Sequence, residues 1–322
     1  MTHSLYRGRL DLTRPFRALV AGGGTGDAAI MLAQQLANAT LDARVRLKPG
    51  ETFHEVVYLD LSAASRRIAE ARAQARGLTN IRFVTGSLLE AARLAPGPYD
   101  YIDCCGVLHH LEDPAAGLAS LAAQLKPEAG LGLMLYGEYG RRGVYELQAL
   151  LRDLAPDAPL AERVSLARRL LGQLPASNWF RRNPFLGDHK LSDAELVDLL
   201  LHARDRAYRV PQLLDLVAGA GLAPVRFIEP LRYAPQSYVA DPALRRRLAD
   251  LPPAQAWAAA EALAGNMKVH VLYATRAAGD TVAENLPDSV PLLTKNSGPE
   301  LARAAAANLT LRLEVGGLTL QQ

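Results

Sequence analysis

One stretch decides the fold: residues 16–26 read Phe-Arg-Ala-Leu-Val-Ala-Gly-Gly-Gly-Thr-Gly. Its first half is a short apolar run that predicts a buried strand, and apolar residues recur at helical spacing from 27 to 37. Because glycine has no Cβ atom, a glycine turn lets the backbone approach a ligand closely, and the following helix offers free N–H groups. The stretch therefore predicts strand, ligand-binding turn and helix, although a purely structural tight turn stays open at this point.

The alternation of strand and helix continues along the chain. Further strands are predicted at 55–60, 81–85, 99–104, 130–136, 224–229 and 267–273, and helices at 62–76, 114–125, 144–154, 161–171, 192–201, 211–220 and 242–264. Strands that alternate with helices favour a parallel sheet with helices on both faces. We therefore predict an α/β fold with a doubly wound, mostly parallel seven-stranded sheet.

The regular alternation is interrupted, which predicts a domain organisation in four parts. Residues 1–136 form the first part of the main domain, and residues 137–209 form a helical insertion that acts as a lid. Residues 210–276 complete the domain and carry a second helical insertion at 231–266, and residues 277–322 form a C-terminal appendage. In the appendage a helix is predicted at 299–307, and Gly316-Gly317 between two alternating segments predicts a hairpin that pairs strands within or between subunits, as in a homodimer.

Composition excludes several classes of protein. Of the 322 residues 49% are hydrophobic and 21% charged, which is ordinary globular usage. The net charge is only +3 and the arginines are scattered, so we expect no nucleic-acid partner. The adjacent Cys104 and Cys105 are the only cysteines, and neither CxxC nor HExxH occurs, so neither a structural disulfide nor a metal site is expected. The N-terminus has no apolar signal region and no segment is long and uncharged enough to span a bilayer, so a cytoplasmic location is expected.

Two aspartates restrict the class of nucleotide cofactor that the glycine turn is expected to bind. Asp60 ends the second predicted strand, where a carboxylate can accept hydrogen bonds from both ribose hydroxyls of an adenosine cofactor; the alternative is a helix N-cap. Asp27 stands where the dinucleotide pattern GxGxxG needs its third glycine, and an acid there would face a pyrophosphate. No Gly-Lys-Ser/Thr run occurs. A cofactor with adenosine but no phosphate fits best, and S-adenosylmethionine is such a cofactor.

The residues from about 16 to 276 resemble the class I S-adenosylmethionine-dependent methyltransferases. The glycine stretch is similar to their first motif, Tyr58-Leu-Asp-Leu-Ser62 to the ribose-binding strand end, and 83–89 to the segment beside the adenine. The most specific likeness is 99–111, Tyr-Asp-Tyr-Ile-Asp-Cys-Cys-Gly-Val-Leu-His-His-Leu, which resembles their fourth strand and the loop facing the methyl group. The resemblance implies cofactor binding by Ala21, Gly22, Gly23, Gly24, Gly26, Asp60, Leu61, Gly86, Ser87, Leu88, Cys104, Cys105 and Gly106.

The sequence departs from the family at two positions. Val20 stands where many members carry an acid near the first glycine, which puts one hydrogen bond to the methionine part in doubt. Ser87 stands where an acid often contacts adenine, although its hydroxyl and the Leu88 N–H can serve there. Segments 136–141, 178–180 and 202–208 are similar to a bacterial subgroup of unknown substrate, so the acceptor stays unidentified.

Methyl transfer from a sulfonium is an in-line displacement, so the protein mainly aligns the acceptor and excludes water. A base helps when the acceptor is a hydroxyl or a protonated amine, and a histidine suits neutral pH. His109 and His110, after the fourth strand, and Tyr136, at the end of the fifth, are the catalytic candidates. The alternative for the histidines is that His109 packs beside the cofactor while His110 shapes the loop. The candidates for substrate contact are Tyr136, Glu138, Tyr139, Arg141, Arg204, Asp205 and Tyr208.

The roles of two segments and the activity of the whole chain stay open at this stage. Polar residues at 202–208 either bind substrate or form a salt bridge of the lid, and Trp179 and Phe180 either cover a substrate or anchor the insertion on the core. At the level of the whole chain, the alternatives are an NAD-dependent oxidoreductase on a similar sheet and a non-catalytic scaffold or sensor that binds S-adenosylmethionine.

Overall fold

Strand β1 lies in the middle of a seven-stranded sheet, and its glycine turn opens at the edge where the parallel strands end. The structure is a computed structural model that describes residues 1–42, 52–276, 279, 281–282, 312–315 and 318–321. The strands of the sheet are β1 (Arg17–Ala21), β2 (Glu55–Asp60), β3 (Ile81–Thr85), β4 (Tyr99–Cys105), β5 (Leu125–Tyr136), β6 (Ala223–Phe227) and β7 (Val269–Thr275).

The strand order is β3-β2-β1-β4-β5-β7-β6. Strands β1 to β5 are parallel, and β7 is antiparallel to both β5 and β6. The order reverses between β1 and β4, so the connections leave these two strands in opposite directions and open a crevice at their C-terminal ends. The prediction of a doubly wound, mostly parallel seven-stranded sheet is confirmed.

Helices cover both faces of the sheet. They are α1 (Thr2–Leu5), α2 (Asp27–Asp42), α3 (Ala63–Gln74), α4 (Ala91–Leu94), α5 (Pro114–Ala122), α6 (Val144–Leu154), α7 (Leu160–Gln173), α8 (Trp179–Arg182), α9 (Asp193–Leu196), α10 (Val210–Gly219), α11 (Pro242–Ala249) and α12 (Pro253–Ala264). Apolar side chains of α1, α2 and α3 form the core on one face. Those of α4, α5, α10 and α12 form a larger core on the other.

The helices after β5 have a small core of their own. Buried side chains of α6, α7, α8 and α9 pack together and include Leu147, Ala167, Phe180 and Leu196. A π-helical turn, Val197–Leu201, continues α9 and adds three buried leucines. This cluster shares no residue with the two cores on the sheet. The helices after β5 are therefore packed mainly on one another rather than on the sheet.

Several boundaries differ from the expected ones. The predicted helix 114–125 ends at Ala122, and residue 125 already begins β5. The predicted helix 242–264 is two helices, since α11 ends at residue 249 and Pro252, which cannot donate a helical hydrogen bond, precedes α12. In the appendage, β8 (Arg312–Val315) and β9 (Leu318–Gln321) pair antiparallel, whereas the helix predicted at 299–307 lies outside the described residues.

Candidate functional site

The glycine turn is shaped by three residues with positive φ, Gly22 (81°), Gly24 (51°) and Gly26 (98°), a region that favours glycine. The N–H groups of Gly22 and Gly23 donate to the carbonyl of Leu59 at the end of β2. A Cβ atom on Gly22 would lie 2.1 Å from Val107 Cγ2, and one on Gly23 would lie 2.2 Å from the Tyr58 ring. A Cβ on Gly24 would meet nothing within 4 Å, so the turn is packed at its base and open at Gly24.

Asp60 is built into this turn. Its Oδ2 accepts from the N–H of Gly24 at 2.8 Å, and its Oδ1 accepts from the N–H of Ser62 at 2.7 Å. The N-cap of α3 is Ser62, whose Oγ accepts from the N–H of Ser65. The carboxylate is therefore held against the open side of the turn, and the capping role belongs to a different residue.

Asp27 is exposed and paired with an arginine. Its carboxylate lies 2.5 Å from Arg72 of α3, and 81% of its side chain is exposed. The same guanidinium donates to the carbonyl of Thr25 at 2.7 Å. The charge of Arg72 is thus engaged by Asp27 and by the backbone of the turn.

The segment after β3 forms a second wall of the crevice. Gly86 has φ 157°, and its N–H donates to the carbonyl of Asp60. The Oγ of Ser87 accepts from the N–H of Leu89, which caps a short 3-10 turn in which Leu88 is buried. Beyond Asp60, Leu61 is a large apolar residue that is 76% exposed. An apolar side chain left open beside the turn suits contact with a flat ligand.

The end of β4 borders the turn from the other side. Cys104 is buried, Cys105 is exposed, and Gly106 has φ 80°. Asp103 is the register partner of Val20, so the two side chains share one face of the sheet. Tyr101 donates to Asp103 at 3.1 Å, and burial raises the pKa of this carboxyl above its ordinary value. The position opposite Val20 therefore carries an acid on the neighbouring strand.

His109 is buried and lies between aromatic rings. Its ring stacks on Tyr136 with centroids 3.8 Å apart, and its other neighbour is His110 at 4.3 Å. Among the described residues neither ring nitrogen has a hydrogen-bond partner. Burial, followed by the charges of His110, Arg141 and His202, lowers the pKa of His109 to about 3. The side chain is neutral near pH 7 and is a weak base.

His110 differs from its neighbour in orientation and in access. Its Nδ1 lies 2.9 Å from the carbonyl of Arg204, and since a carbonyl only accepts, Nδ1 carries the proton. The lone pair is then on Nε2. The ring lies 3.9 Å from that of His202, and burial lowers its pKa below the ordinary histidine value. His110 is therefore a neutral imidazole with its basic nitrogen fixed.

Arg141 and Asp205 form a buried ion pair that joins the two ends of the insertion. Their N–O distance is 2.8 Å, and their side chains are 5% and 0% exposed. The guanidinium also donates to Tyr145 at 3.0 Å and covers the ring of Tyr136 at 3.7 Å. Gln148 donates to the same carboxylate oxygen of Asp205 at 2.9 Å. One stack thus runs from Arg141 through Tyr136 to His109.

The other predicted contact residues occupy different positions. Tyr208 is buried, its N–H donates to the carbonyl of Tyr136, and its own carbonyl accepts from the N–H of Glu138. Arg204 forms an exposed pair with Glu112 at 2.7 Å. Tyr139 is half-buried under the guanidinium of Arg142. The structure therefore brings together all the predicted catalytic and substrate residues around the end of β5, but it buries Arg141, Asp205 and Tyr208 in contacts with one another or with the backbone.

Sequence reasoning did not single out Tyr145, Gln148 or Asp198, and it named His202 only as part of the polar segment 202–208. Asp198 accepts from the hydroxyl of Tyr136 at 3.3 Å. A signal existed for Gln148, since it lies on the apolar face of α6 between Leu147 and Leu151, where a polar side chain needs a partner. Within the described part of the chain, no group of three His, Cys, Asp or Glu side chains is placed to hold a metal ion, and no helix is long and apolar enough to cross a membrane.

Comparisons with known proteins identify the fold and one domain. Residues 19–131 match the family model described as a methyltransferase domain. An uncharacterised protein of Synechococcus sp. (strain ATCC 27144 / PCC 6301 / SAUG 1402/1) is 33% identical over 232 residues, 70% of this chain and 51% of that protein. The tRNA 5-carboxymethoxyuridine methyltransferase of Escherichia coli (strain K12) is 32% identical over 125 residues, 38% of this chain and 41% of that enzyme. The chain thus spans about half the length, or less, of these curated relatives.

Among solved structures, PKMT2 from Rickettsia typhi in complex with AdoHcy has the same fold. The TM-score is 0.60 at 14% identity, over 86% of this chain and 50% of that one. Identity this low speaks for the fold alone, whereas the family model covers the glycine turn, Asp60 and the loop after β4. Residues 19–131 therefore match a methyltransferase domain, and the fold is the one expected from the resemblance to the class I S-adenosylmethionine-dependent methyltransferases.

Proposed function

We propose that the chain transfers a methyl group from S-adenosylmethionine to an acceptor that is a small molecule or a peptide or protein side chain. The observation that carries the proposal is the pairing of Asp60 with the Gly24 N–H at the crevice between β1 and β4, within a methyltransferase domain.

The residues of the crevice fit this cofactor. A Cβ at Gly24 would meet empty space, so the backbone there can approach a ligand, and Asp60 beside it can accept from ribose hydroxyls. Leu61, Ser87 and Leu88 would border the adenine, and Cys104, Cys105 and Gly106 the sulfur side. Asp27 stands where the dinucleotide pattern GxGxxG has its third glycine, so the pattern that binds the pyrophosphate of an NAD cofactor is incomplete. When bound, the cofactor supplies an electrophilic methyl group.

The chain's own residues divide the remaining tasks. We assign proton removal from the acceptor to Nε2 of His110, because its tautomer is fixed and its reduced pKa keeps it neutral. His109 and Tyr136 form an aromatic wall that excludes water, and the low pKa of His109 makes it unsuited to accept a proton. Arg141 and Asp205 hold that wall in place, so residues 137–209 act as the lid.

We further propose that the acceptor is not a nucleic acid and that the β8–β9 strand pair brings two copies together as a homodimer. Several exposed arginines of the insertion lie beside carboxylates, which weakens the positive field that phosphates need: Arg168 beside Asp193, Arg204 beside Glu112 and Arg209 beside Glu138. Retention of labelled tRNA at 150 mM salt would contradict the first statement, and a monomeric mass by light scattering the second.

Calorimetric titration tests the cofactor assignment. S-adenosylhomocysteine should bind, and NADH should not. Asp60→Ala should weaken binding about hundredfold, since two hydrogen bonds to a charged group contribute about 1.5 kcal/mol each. Asp241→Ala is the matched control, because Asp241 only caps α11 and its loss should leave affinity unchanged. Binding of NADH without S-adenosylhomocysteine would favour the oxidoreductase. Cofactor binding without labelled methyl transfer to any acceptor in a lysate would favour the scaffold.

A further inference from the structure

A cavity of about 310 Å3 lies beside the end of β5, on the side of the lid. It is lined by Glu138, Arg142, Tyr145, Glu146 and Trp179. Glu138 follows β5 by two residues, and Tyr145 accepts a hydrogen bond from Arg141, which covers Tyr136. Contacts therefore run from the cavity through Tyr145 and Arg141 to the wall of Tyr136 and His109, beside the proposed site of methyl transfer.

The close approach of Gly143 and Phe180 shapes this cavity. Gly143 precedes α6 with φ 91°, and a Cβ on it would lie 2.1 Å from the backbone nitrogen of Phe180. The backbone of α8 thus lies directly on the start of α6, and Asn183 ties the same segment to the Gly140 carbonyl at 3.0 Å. Phe180 is 4% exposed and anchors α8, whereas Trp179 is 56% exposed and faces the cavity. The two aromatic residues left open by the sequence therefore have different roles.

The residues that line the cavity favour a positively charged ligand. Tyr145 and Trp179 offer ring faces, which attract cations through their quadrupole. Each ring already has a guanidinium near one face, Arg182 at 5.3 Å from the Trp179 centroid and Arg141 at 5.7 Å from the Tyr145 centroid, so a ligand cation would use the other face. Two carboxylates, Glu138 and Glu146, face the same space as a single guanidinium, Arg142, and that guanidinium is drawn onto the ring of Tyr139 at 5.1 Å. Glu138 has a distant partner in Arg209 at 3.8 Å, so Glu146 is the freer of the two carboxylates to bind a ligand.

We propose that the methyl acceptor carries an ammonium group and that this cavity binds it, between Trp179, Tyr145 and Glu146. The proposal rests on the proposed function, because only a protein that transfers a methyl group has a methyl acceptor. The binding of a cation in the cavity can be tested without that function. An ammonium group satisfies the carboxylate and the ring faces together, whereas a neutral alcohol satisfies neither and a carboxylate would meet two like charges.

Fluorescence of Trp179 provides the measurement. The chain has two tryptophans, so Trp257→Phe leaves Trp179 as the only one. Four probes share a phenyl group and differ in charge: 2-phenylethylamine, 2-phenylethyltrimethylammonium, 2-phenylethanol and 3-phenylpropanoate. We expect both cations to change the emission at millimolar concentration and the alcohol and the carboxylate to have little effect. Equal binding of the alcohol, preference for the carboxylate, or no binding of either cation would overturn the proposal.

Charge variants sharpen the test. Glu146→Gln should weaken the cations about fivefold, the upper range for an exposed charge pair, and Arg142→Gln should strengthen them. Glu162→Gln is the matched control, because Glu162 also lies in the first turn of an insertion helix but does not line the cavity, and it should change nothing. Effects of the same sign for Glu146→Gln and Arg142→Gln would contradict a cation site.

The two proposals fail separately. Calorimetry of S-adenosylhomocysteine reports on the glycine turn, and Trp179 emission reports on the cavity. Cofactor binding without cation binding rejects the ammonium acceptor and leaves methyl transfer standing. Cation binding without cofactor binding rejects methyl transfer by this chain.

Discussion

The crevice at the glycine turn and the region around Arg141, Asp205 and Tyr136, the proposed acceptor side, are held together by different means. The crevice is shaped by backbone, with glycines of positive φ whose N–H groups donate to the ends of neighbouring strands and to Asp60. The acceptor side is shaped by side chains, above all the buried Arg141–Asp205 pair, whose partners are 64 residues apart in the chain. The first arrangement follows from local sequence, and the second depends on a distant contact.

This difference predicts independent failure of the two regions. Asp205→Ala leaves the charge of Arg141 buried without a partner, which should cost about 3–5 kcal/mol in the free energy of unfolding. Urea unfolding in the Trp257→Phe background, followed by Trp179 emission, measures this in the insertion. S-adenosylhomocysteine affinity should stay within about twofold, because the glycine turn makes none of these contacts.

Arg204→Ala is the control for the buried pair. It lies next to Asp205 and removes an exposed pair with Glu112, so it should cost about 1 kcal/mol or less. If the two variants unfold at the same urea concentration, the buried pair does not hold the insertion.

Substitution of His110 should lower the rate of methyl transfer and leave cofactor affinity unchanged. His110→Gln should lower kcat for the labelled acceptor about hundredfold, the lower range for loss of a general base, with cofactor affinity unchanged. Since burial lowers the pKa of His110, the rate of the native protein should fall only as pH drops below about 6.5, the ordinary histidine value. His189→Gln, elsewhere in the insertion, should retain the native rate. A retained rate in His110→Gln would remove the base from the mechanism.

The same contrast explains what the sequence could predict. Strands and the glycine turn have local signals, so β1, β2 and β3 begin and end within a residue of their predicted bounds. The partners of Asp60 follow from its place at the end of β2. By contrast, nothing local to Arg141 indicates Asp205, and the sequence left open whether the histidine pair acts in catalysis or in packing and loop structure. Those roles depend on which ring lies under Tyr136 and which meets the Arg204 carbonyl.

Stability should respond to acid through His109. Its folded pKa of about 3 lies below the unfolded value of about 6.5, so the unfolded chain binds a proton that the native chain does not. The stability is therefore complete above pH 6.5 and is lost as pH falls towards 3. Between pH 7.5 and 5.0 the native protein should lose about 2 kcal/mol more than His109→Phe, which keeps a ring against Tyr136. Equal losses in urea titrations at the two pH values would show that His109 does not titrate as its burial implies.

The smallest effect separates packing from ligand contact within the glycine turn itself. Gly22→Ala and Gly24→Ala carry the same backbone penalty, because both residues have positive φ. Only the new Cβ at 22 meets an atom, Val107 Cγ2 at 2.1 Å, so Gly22→Ala should lose about 1 kcal/mol more in thermal or urea unfolding. Gly24→Ala should be the more stable variant and yet bind S-adenosylhomocysteine less tightly than the native chain, since its methyl group enters the open side of the turn. Native affinity in Gly24→Ala would mean that the cofactor does not approach this backbone. Cofactor binding would then have to depend on side chains, as the packing of the acceptor side does.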